Sequence, residues 1–226
     1  MDKLLLYHQL LLLALNNQKG SVIMSAQQAL PFGLAGAVIL ELYQQQYIDM
    51  QHNIIVKTDK PAPAVPILAQ SLEQLFGKRP EMKIKKSVER LSGSRLKLHR
   101  KIQNELVQMG ILQVRAKKFI FIPYKRYPEL NPLPELDIRE NIKSIVLHNS
   151  VLNEKTHALL SLIRACNLVN EIFARENRKN AKKRIKELVK QEPVGQNITK
   201  VVQEINAAIA GAVVASTAAR NAAIHG

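Results

Sequence analysis

The sequence is poor in the residues that cross-link secreted proteins and in those that stack on nucleic-acid bases. It has no tryptophan, five tyrosines, five phenylalanines and a single cysteine, Cys166, among 226 residues. A lone cysteine cannot form an internal disulfide, and its apolar helical surroundings predict a small buried thiol rather than a nucleophile. Because 46% of the residues are hydrophobic, a chain of this length can bury a core without cross-links. These features favour a reducing compartment and offer no aromatic platform for single-stranded nucleic acid.

Long apolar runs are also lacking. Residues 4–15 look like the core of a signal peptide, but Tyr7, His8 and Gln9 interrupt the run and no small-residue cleavage site follows it. Residues 205–219 are uncharged, but these fifteen residues fall short of the ~20 apolar residues that span a bilayer. We therefore expect a buried first helix and a packed terminal helix.

Acidic residues are scarce relative to basic ones. Lys and Arg number 33 against 18 Asp and Glu, which gives a formal net charge of +15 at pH 7. Between Lys78 and Arg126, fifteen basic residues are accompanied by only three glutamates, and a second basic cluster runs from Arg175 to Lys190. Such a surface attracts phosphate-rich partners through a field that salt weakens. Charge alone does not say whether that partner is a membrane or a nucleic acid.

Apolar periodicity predicts a mainly α fold, with a single globular helical domain over residues 1–226 and two or more short β-hairpins. The first hairpin pairs the apolar runs 47–50 and 54–56. The predicted helices cover residues 3–15, 25–42, 67–76, 81–91, 94–109, 138–149, 153–173, 181–190 and 197–223.

A second hairpin is predicted after the helix at 94–109. The apolar runs 111–114 and 119–122 flank Arg115-Ala116-Lys117-Lys118, so the tip of this hairpin is expected to be basic. The prolines between residues 123 and 134 predict a loop. A helix followed by a two-stranded hairpin is also the arrangement of winged-helix modules.

Several stretches taken together resemble the Golgi phosphoprotein 3 family of peripheral membrane proteins, and their order and spacing extend over nearly the whole chain. The matching segments are the leucine run and turn at 10–20, Gly33-Leu34-Ala35-Gly36-Ala37 with Leu40-Glu41-Leu42, Asp59 and Pro61 with Leu68 and Leu72, Leu91-Ser92-Gly93, the stretch from Leu96 to His99, Leu106 with Gly110 and Leu112, and Leu159-Leu160-Ser161-Leu162. The chain thus looks like a divergent member of this family, of prokaryotic type.

The resemblance implies a helical domain without a cofactor, displayed in the cytoplasm and peripherally associated with membranes through phosphatidylinositol phosphate. Family members also bind membrane-protein tails and self-associate. The family's headgroup pocket uses a tryptophan and three arginines, which the resemblance aligns here with Ala26, Ala35, Glu154 and His157. The aromatic and guanidinium groups are therefore lost. Lys155 and His157 are predicted to take part of their place in binding the headgroup, although a histidine clamps phosphate less well than an arginine.

The basic residues themselves suggest a broader anionic-surface site. Its predicted members are Lys97, Arg100, Lys101, Lys117 and Lys118. On any one helix such residues are usually just the solvated face. Three linked elements of one sign favour docking on anionic lipids, where each Lys or Arg contributes about 1 kcal/mol.

Two other functions remain open at this stage. A winged-helix-like protein would place helix 94–109 in a nucleic-acid groove, with the tip at 115–118 as its wing. A scaffold protein would carry its charge only for solubility. No enzyme is predicted, because the six histidines lack metal-ligand spacing and Gly33-x-x-Gly36 lacks the Lys-Ser/Thr of a phosphate loop.

Overall fold

The computed structural model describes residues 4–51, 53–77, 79–93, 96–119, 122–190 and 198–225. The helices are α1 (Leu6–Leu13), α2 (Leu30–Gln44), α3 (Pro66–Phe76), α4 (Ile84–Ser92), α5 (Leu98–Gln108), α6 (Leu133–His148), α7 (Glu154–Ala165), α8 (Val169–Ile172), α9 (Arg178–Leu188) and α10 (Ile198–His225). The strands are β1 (Ile48–Gln51), β2 (Ile54–Lys57), β3 (Glu81–Lys83), β4 (Arg115–Phe119) and β5 (Ile122–Arg126). The predicted mainly α fold with short hairpins is confirmed.

The centre of the fold is the pair α1 and α2, which are apolar on nearly every face. They pack on each other and on α4, α5, α7 and α10. The first helix begins at Leu6, later than predicted, and the carboxylate of Glu41 caps it by accepting a 2.5 Å hydrogen bond from the Leu6 N–H. A buried carboxylate thus satisfies a helix N–H that would otherwise lack a partner.

Two glycines allow the helices around α2 to approach closely. A Cβ on Gly33 would overlap the Sγ of Cys166, and one on Gly36 would lie 2.9 Å from side-chain carbons of Ile205 and Ile209. Close packing, rather than phosphate binding, therefore explains the Gly33-x-x-Gly36 pair. Cys166 is fully buried as predicted, and burial raises the pKa of its thiol to about 12.

The first predicted hairpin is confirmed, and it belongs to a three-stranded antiparallel sheet of order β1-β2-β3. The helix predicted at residues 81–91 is wrong over its first three residues, because Glu81–Lys83 form β3 and pair with β2. Pro80, just before β3, cannot donate a backbone hydrogen bond, and its carbonyl instead accepts one from the Lys57 N–H at 3.1 Å. Pairing with β2 therefore overrides the helical pattern here.

The second hairpin exists, but its predicted register is wrong. Residues 115–118 lie in β4 instead of the turn, and β4 pairs with β5 so that Lys117 faces Tyr124 and Arg115 faces Arg126. The connection falls at residues 120–121, which lie outside the described residues. The predicted loop from 123 to 134 is correspondingly shorter, since Pro123 is part of β5.

The predicted helix at residues 153–173 is split into α7 and α8. Asn153 caps α7 by accepting a hydrogen bond from the Thr156 N–H at 2.8 Å, and Asn167, with φ of 59°, ends the run before α8. Asparagine tolerates this left-handed conformation better than most residues.

The terminal helix α10 lies within two residues of its predicted bounds, but its apolar stretch is longer than the fifteen residues singled out in the sequence. By length and composition Thr199–Ala222 could cross a bilayer, with a mean hydropathy of 1.3. Its first half packs instead on α2, α4 and α7, where Val202, Ile205 and Ile209 are buried. The first half of α10 is therefore a helix of the core, as predicted from the sequence, although only 33% of the apolar window is buried.

Candidate functional site

The site centres on a cavity of about 1020 Å³ between α5 and the β4–β5 hairpin. Its walls are the turn after α1 at Gly20–Val22, the start of α2 at Pro31 and Leu34, the first half of α5 and most of β5. We call this cavity the basic groove. Gly20 holds its rim together, because its carbonyl accepts a 3.1 Å hydrogen bond from the Tyr127 N–H.

Four cationic side chains line the basic groove, namely Lys97, Arg100, Lys125 and Arg126. No Asp or Glu is among its described lining residues, and these four cations form no ion pair within the described part of the chain. Arg126 lies 5.0 Å from the centre of the Tyr124 ring, a cation–π contact that orients the guanidinium. The groove therefore concentrates positive charge, with no acidic residue in its described lining to neutralise that charge.

The beginning of α5 adds to this positive potential. Lys97, at the N-cap, adopts the left-handed conformation (φ 50°, ψ 42°), and its side chain does not cap the helix. The first turn contains no acidic residue, so its backbone N–H groups carry the uncompensated positive end of the helix dipole. A helix start combined with four cations is a suitable environment for a phosphate group.

His99 lies in the same wall and is half-buried, not solvated. Its Nε2 atom is buried without a hydrogen-bond partner among the described residues. His99 also lines a smaller adjoining cavity of about 350 Å³. Burial lowers the pKa of His99, which keeps the ring neutral near pH 7.

A buried polar cluster fixes α5 from behind. The Nε2 of His8 lies 2.9 Å from the Oε2 of Glu105, while the Nδ1 of His8 accepts a 3.2 Å hydrogen bond from the Leu5 N–H. Nδ1 as acceptor assigns the proton to Nε2, which donates it to Glu105. The hydroxyl of Tyr7 also lies 3.5 Å from the Oε2 of Glu105. The pKa of Tyr7 is raised, mainly by burial and to a smaller extent by the negative charge of Glu105.

A second acidic contact lies next to the rim of the groove. The Oε2 of Glu129 accepts a 3.1 Å hydrogen bond from Asn17, and its Oε1 is buried without a partner among the described residues. Burial, together with the negative charge of Glu135, raises the pKa of Glu129 to about 7. Glu135 is itself buried and pairs with Arg139 at 2.6 Å.

The structure divides the five residues predicted for the anionic-surface site. Lys97 and Arg100 line the basic groove, whereas the ammonium of Lys101 hydrogen-bonds to Gln70. Lys117 and Lys118 are exposed on β4, which forms part of the same hairpin, but they do not line the groove.

The predicted headgroup pair of Lys155 and His157 requires a correction. His157 is fully buried, and its Nε2 lies 3.2 Å from the Val189 carbonyl oxygen. Burial lowers the pKa of His157, and the hydrogen bond to Val189 offsets only part of this effect. Lys155 donates a 2.9 Å hydrogen bond to the Leu4 carbonyl. A side chain with no exposed surface cannot contact a headgroup, so His157 is a core residue.

Sequence reasoning missed Lys125 and Arg126, which complete the groove, because it assigned them to a loop. The available signal was charge: β4 and β5 contain five basic residues and no acidic one. Arg115 lies directly opposite Arg126, and like charges in such a cross-strand pair are unfavourable unless an anion offsets them.

The chain matches the model of a known protein family. The family model described as Golgi phosphoprotein 3 (GPP34) matches residues 6–205, which is most of the chain and includes every element that forms the basic groove. A search of curated proteins returned no match.

Proposed function

The chain belongs to the Golgi phosphoprotein 3 family, and from this membership we propose that it is a peripheral membrane protein that binds phosphorylated, anionic lipid headgroups in the basic groove without converting them. The observation that carries the proposal is the charge of that groove, with four cations and no acid among its described lining residues. In the cell it would work in the cytoplasm, against the surface of a membrane.

The groups in the groove suit a phosphomonoester. Arg100 and Arg126 each present a planar fork of N–H donors that matches phosphate oxygens, and Lys97 and Lys125 add point charges. The backbone N–H groups at the start of α5, which the Lys97 side chain does not cap, can supply further hydrogen bonds. A phosphate carrying about two negative charges gains more from such a site than the single charge of a phosphodiester.

The surface beside the groove suits docking on a membrane. Lys117 and Lys118 are exposed on the hairpin and extend the positive region beyond the cavity. Binding to membrane-protein tails and self-association remain expectations from the family resemblance.

The test is vesicle co-sedimentation of Lys97→Glu/Arg100→Glu. Vesicles contain phosphatidylcholine with either a phosphatidylinositol phosphate or enough phosphatidylserine to give equal total charge. Removing two attractive contacts of about 1 kcal/mol each, and replacing them with repulsion, should lower affinity for the phosphoinositide vesicles more than tenfold. The control, Lys85→Glu/Lys143→Glu, makes the same charge change at exposed positions outside the groove. Equal losses in both variants would refute a site in the groove.

The alternative function is nucleic-acid binding, and one observation speaks for it. The helix α5 followed by the β4–β5 hairpin has the order of a helix and wing. Duplex DNA at the same ionic strength is therefore the second arm of the test. Binding of DNA with no preference for phosphoinositide vesicles would replace the proposed function.

A further inference from the structure

A second basic surface lies on α9, away from the groove. Residues 175–190 contain eight Lys or Arg and only two Glu. The apolar face of α9 is buried through Ala181, Ile185 and Leu188, and the helix packs on α6, α7 and α8. Its orientation is therefore fixed by the core, which determines the side chains that it exposes to solvent.

Four lysines occupy the exposed face of α9, and a fifth, Lys190, follows just after the end of the helix. Lys179, Lys182, Lys183, Lys186 and Lys190 follow the spacing i, i+3, i+4, i+7 and i+11, which places them within an arc of about 100° at 3.6 residues per turn. All five are exposed. They run along a helix of about 16 Å. We call them the lysine stripe.

Arginines and lysines of α9 have different surroundings. Arg178 donates to the Phe173 carbonyl at 3.2 Å and Arg184 to the Asn149 side chain at 2.8 Å, so both arginines hold the helix in place. The ammonium groups of the lysine stripe, in contrast, make no hydrogen bond or ion pair within the described part of the chain. The stripe is thus charge that the fold itself does not use.

The shape and chemistry of the stripe indicate its partner. It is the convex face of a helix, and none of the cavities described above includes a residue of α9. A discrete phosphate or an acidic peptide needs a concave site with fixed donors, which this face lacks. Lysine is a flexible, hydrated point charge that can follow mobile anions, as on a fluid layer of lipid headgroups.

We propose that the lysine stripe is a second membrane contact, which responds to the density of singly charged lipids such as phosphatidylglycerol and not to a particular headgroup. This inference rests on the proposed function and deepens it. The groove would select the phosphomonoester, and the stripe would add affinity that depends on total surface charge and falls with salt.

The test uses the full chain and vesicles of phosphatidylcholine with increasing phosphatidylglycerol and no phosphomonoester lipid. The stripe variant changes Lys179, Lys182, Lys183 and Lys186 to Gln. The control changes four other exposed lysines, Lys57, Lys85, Lys86 and Lys143, to Gln, so the net charge is equal. Each Lys near an anionic surface contributes about fivefold in affinity, so the four changes of the stripe variant should together lower affinity by roughly 600-fold, and those of the control by less than about tenfold.

The outcomes separate this inference from the proposed function. Equal losses in the stripe and control variants would overturn the inference, since net charge would then explain binding. So would a stripe variant that binds vesicles normally but loses duplex DNA or polyglutamate. Failure of the proposed function looks different: the wild-type protein would follow phosphatidylglycerol density but show no preference for a phosphomonoester at equal charge. Circular dichroism before each assay checks that every variant is folded.

Discussion

Replacing Gly20 by alanine should separate the conformational role of this residue from its role in closing the groove. Gly20 has φ of +59°, and a Cβ there would overlap main-chain atoms of Tyr127 and Pro128. The left-handed conformation costs a residue with a Cβ about 1 kcal/mol. Overlap with the backbone adds roughly 1–3 kcal/mol, because no rotamer change can relieve it. We expect Gly20→Ala to lower the free energy of unfolding by about 2–4 kcal/mol.

Gly110 provides the matched control. It has φ of +71°, but a Cβ there would meet nothing within 4 Å. Gly110→Ala should therefore cost only the conformational part, about 1 kcal/mol. Urea unfolding of both variants measures the difference, and vesicle binding at a temperature where both are folded shows whether the rim of the groove has moved. A Gly20→Ala variant as stable as Gly110→Ala would refute the close approach at Tyr127.

Two further predictions concern buried groups. The pKa of Glu129, about 7 against 4.5 for an ordinary glutamate, means that the folded protein keeps a proton that the unfolded chain releases. The free energy of unfolding should thus fall as the pH rises from about 4.5 to about 7. Relative to the wild type, Glu129→Gln should therefore be no more stable at pH 4.5 and about 1 kcal/mol more stable at pH 8 in urea unfolding, after allowance for solvent screening. A similar gain in exposed Glu140→Gln would contradict this. Gly33→Ala should lower the free energy of unfolding by about 2 kcal/mol, because its Cβ would overlap the Sγ of Cys166. Adding Cys166→Ala should recover part of this loss. Purely additive losses in the double-mutant cycle would show that the two residues do not meet.

Much of the fold could be predicted because the helices packed around α1 and α2 bury one face and leave the other in water. The position of α9, for example, follows from Ala181, Ile185 and Leu188 recurring at helical spacing between lysines. The register of the β4–β5 hairpin could not be predicted in this way. Ile111 and Leu112 looked like a strand, but they are buried as part of the core after α5. The strands themselves carry charge on both faces, so no alternation marks them.

The candidate site was predicted in part for the same reason. Charge alone singled out Lys97 and Arg100, and the fold brings them together with Lys125 and Arg126. His157 was misassigned because the family resemblance aligns it with an arginine of the headgroup pocket, whereas α7 is buried from Thr156 to Ile163. Which face of a helix meets its neighbours is decided by tertiary packing and not by local spacing.

The pairing of His8 with Glu105 determines how much of the protein must be reorganised when a ligand arrives. Since the 2.9 Å contact ties α5 to α1, the fold itself holds in position the wall that carries Lys97 and Arg100. Little backbone entropy is left to lose there, so most of the attraction between phosphate and cations is available as affinity. If the proposed function holds, preorganisation of this kind would let a modest number of charges retain a headgroup.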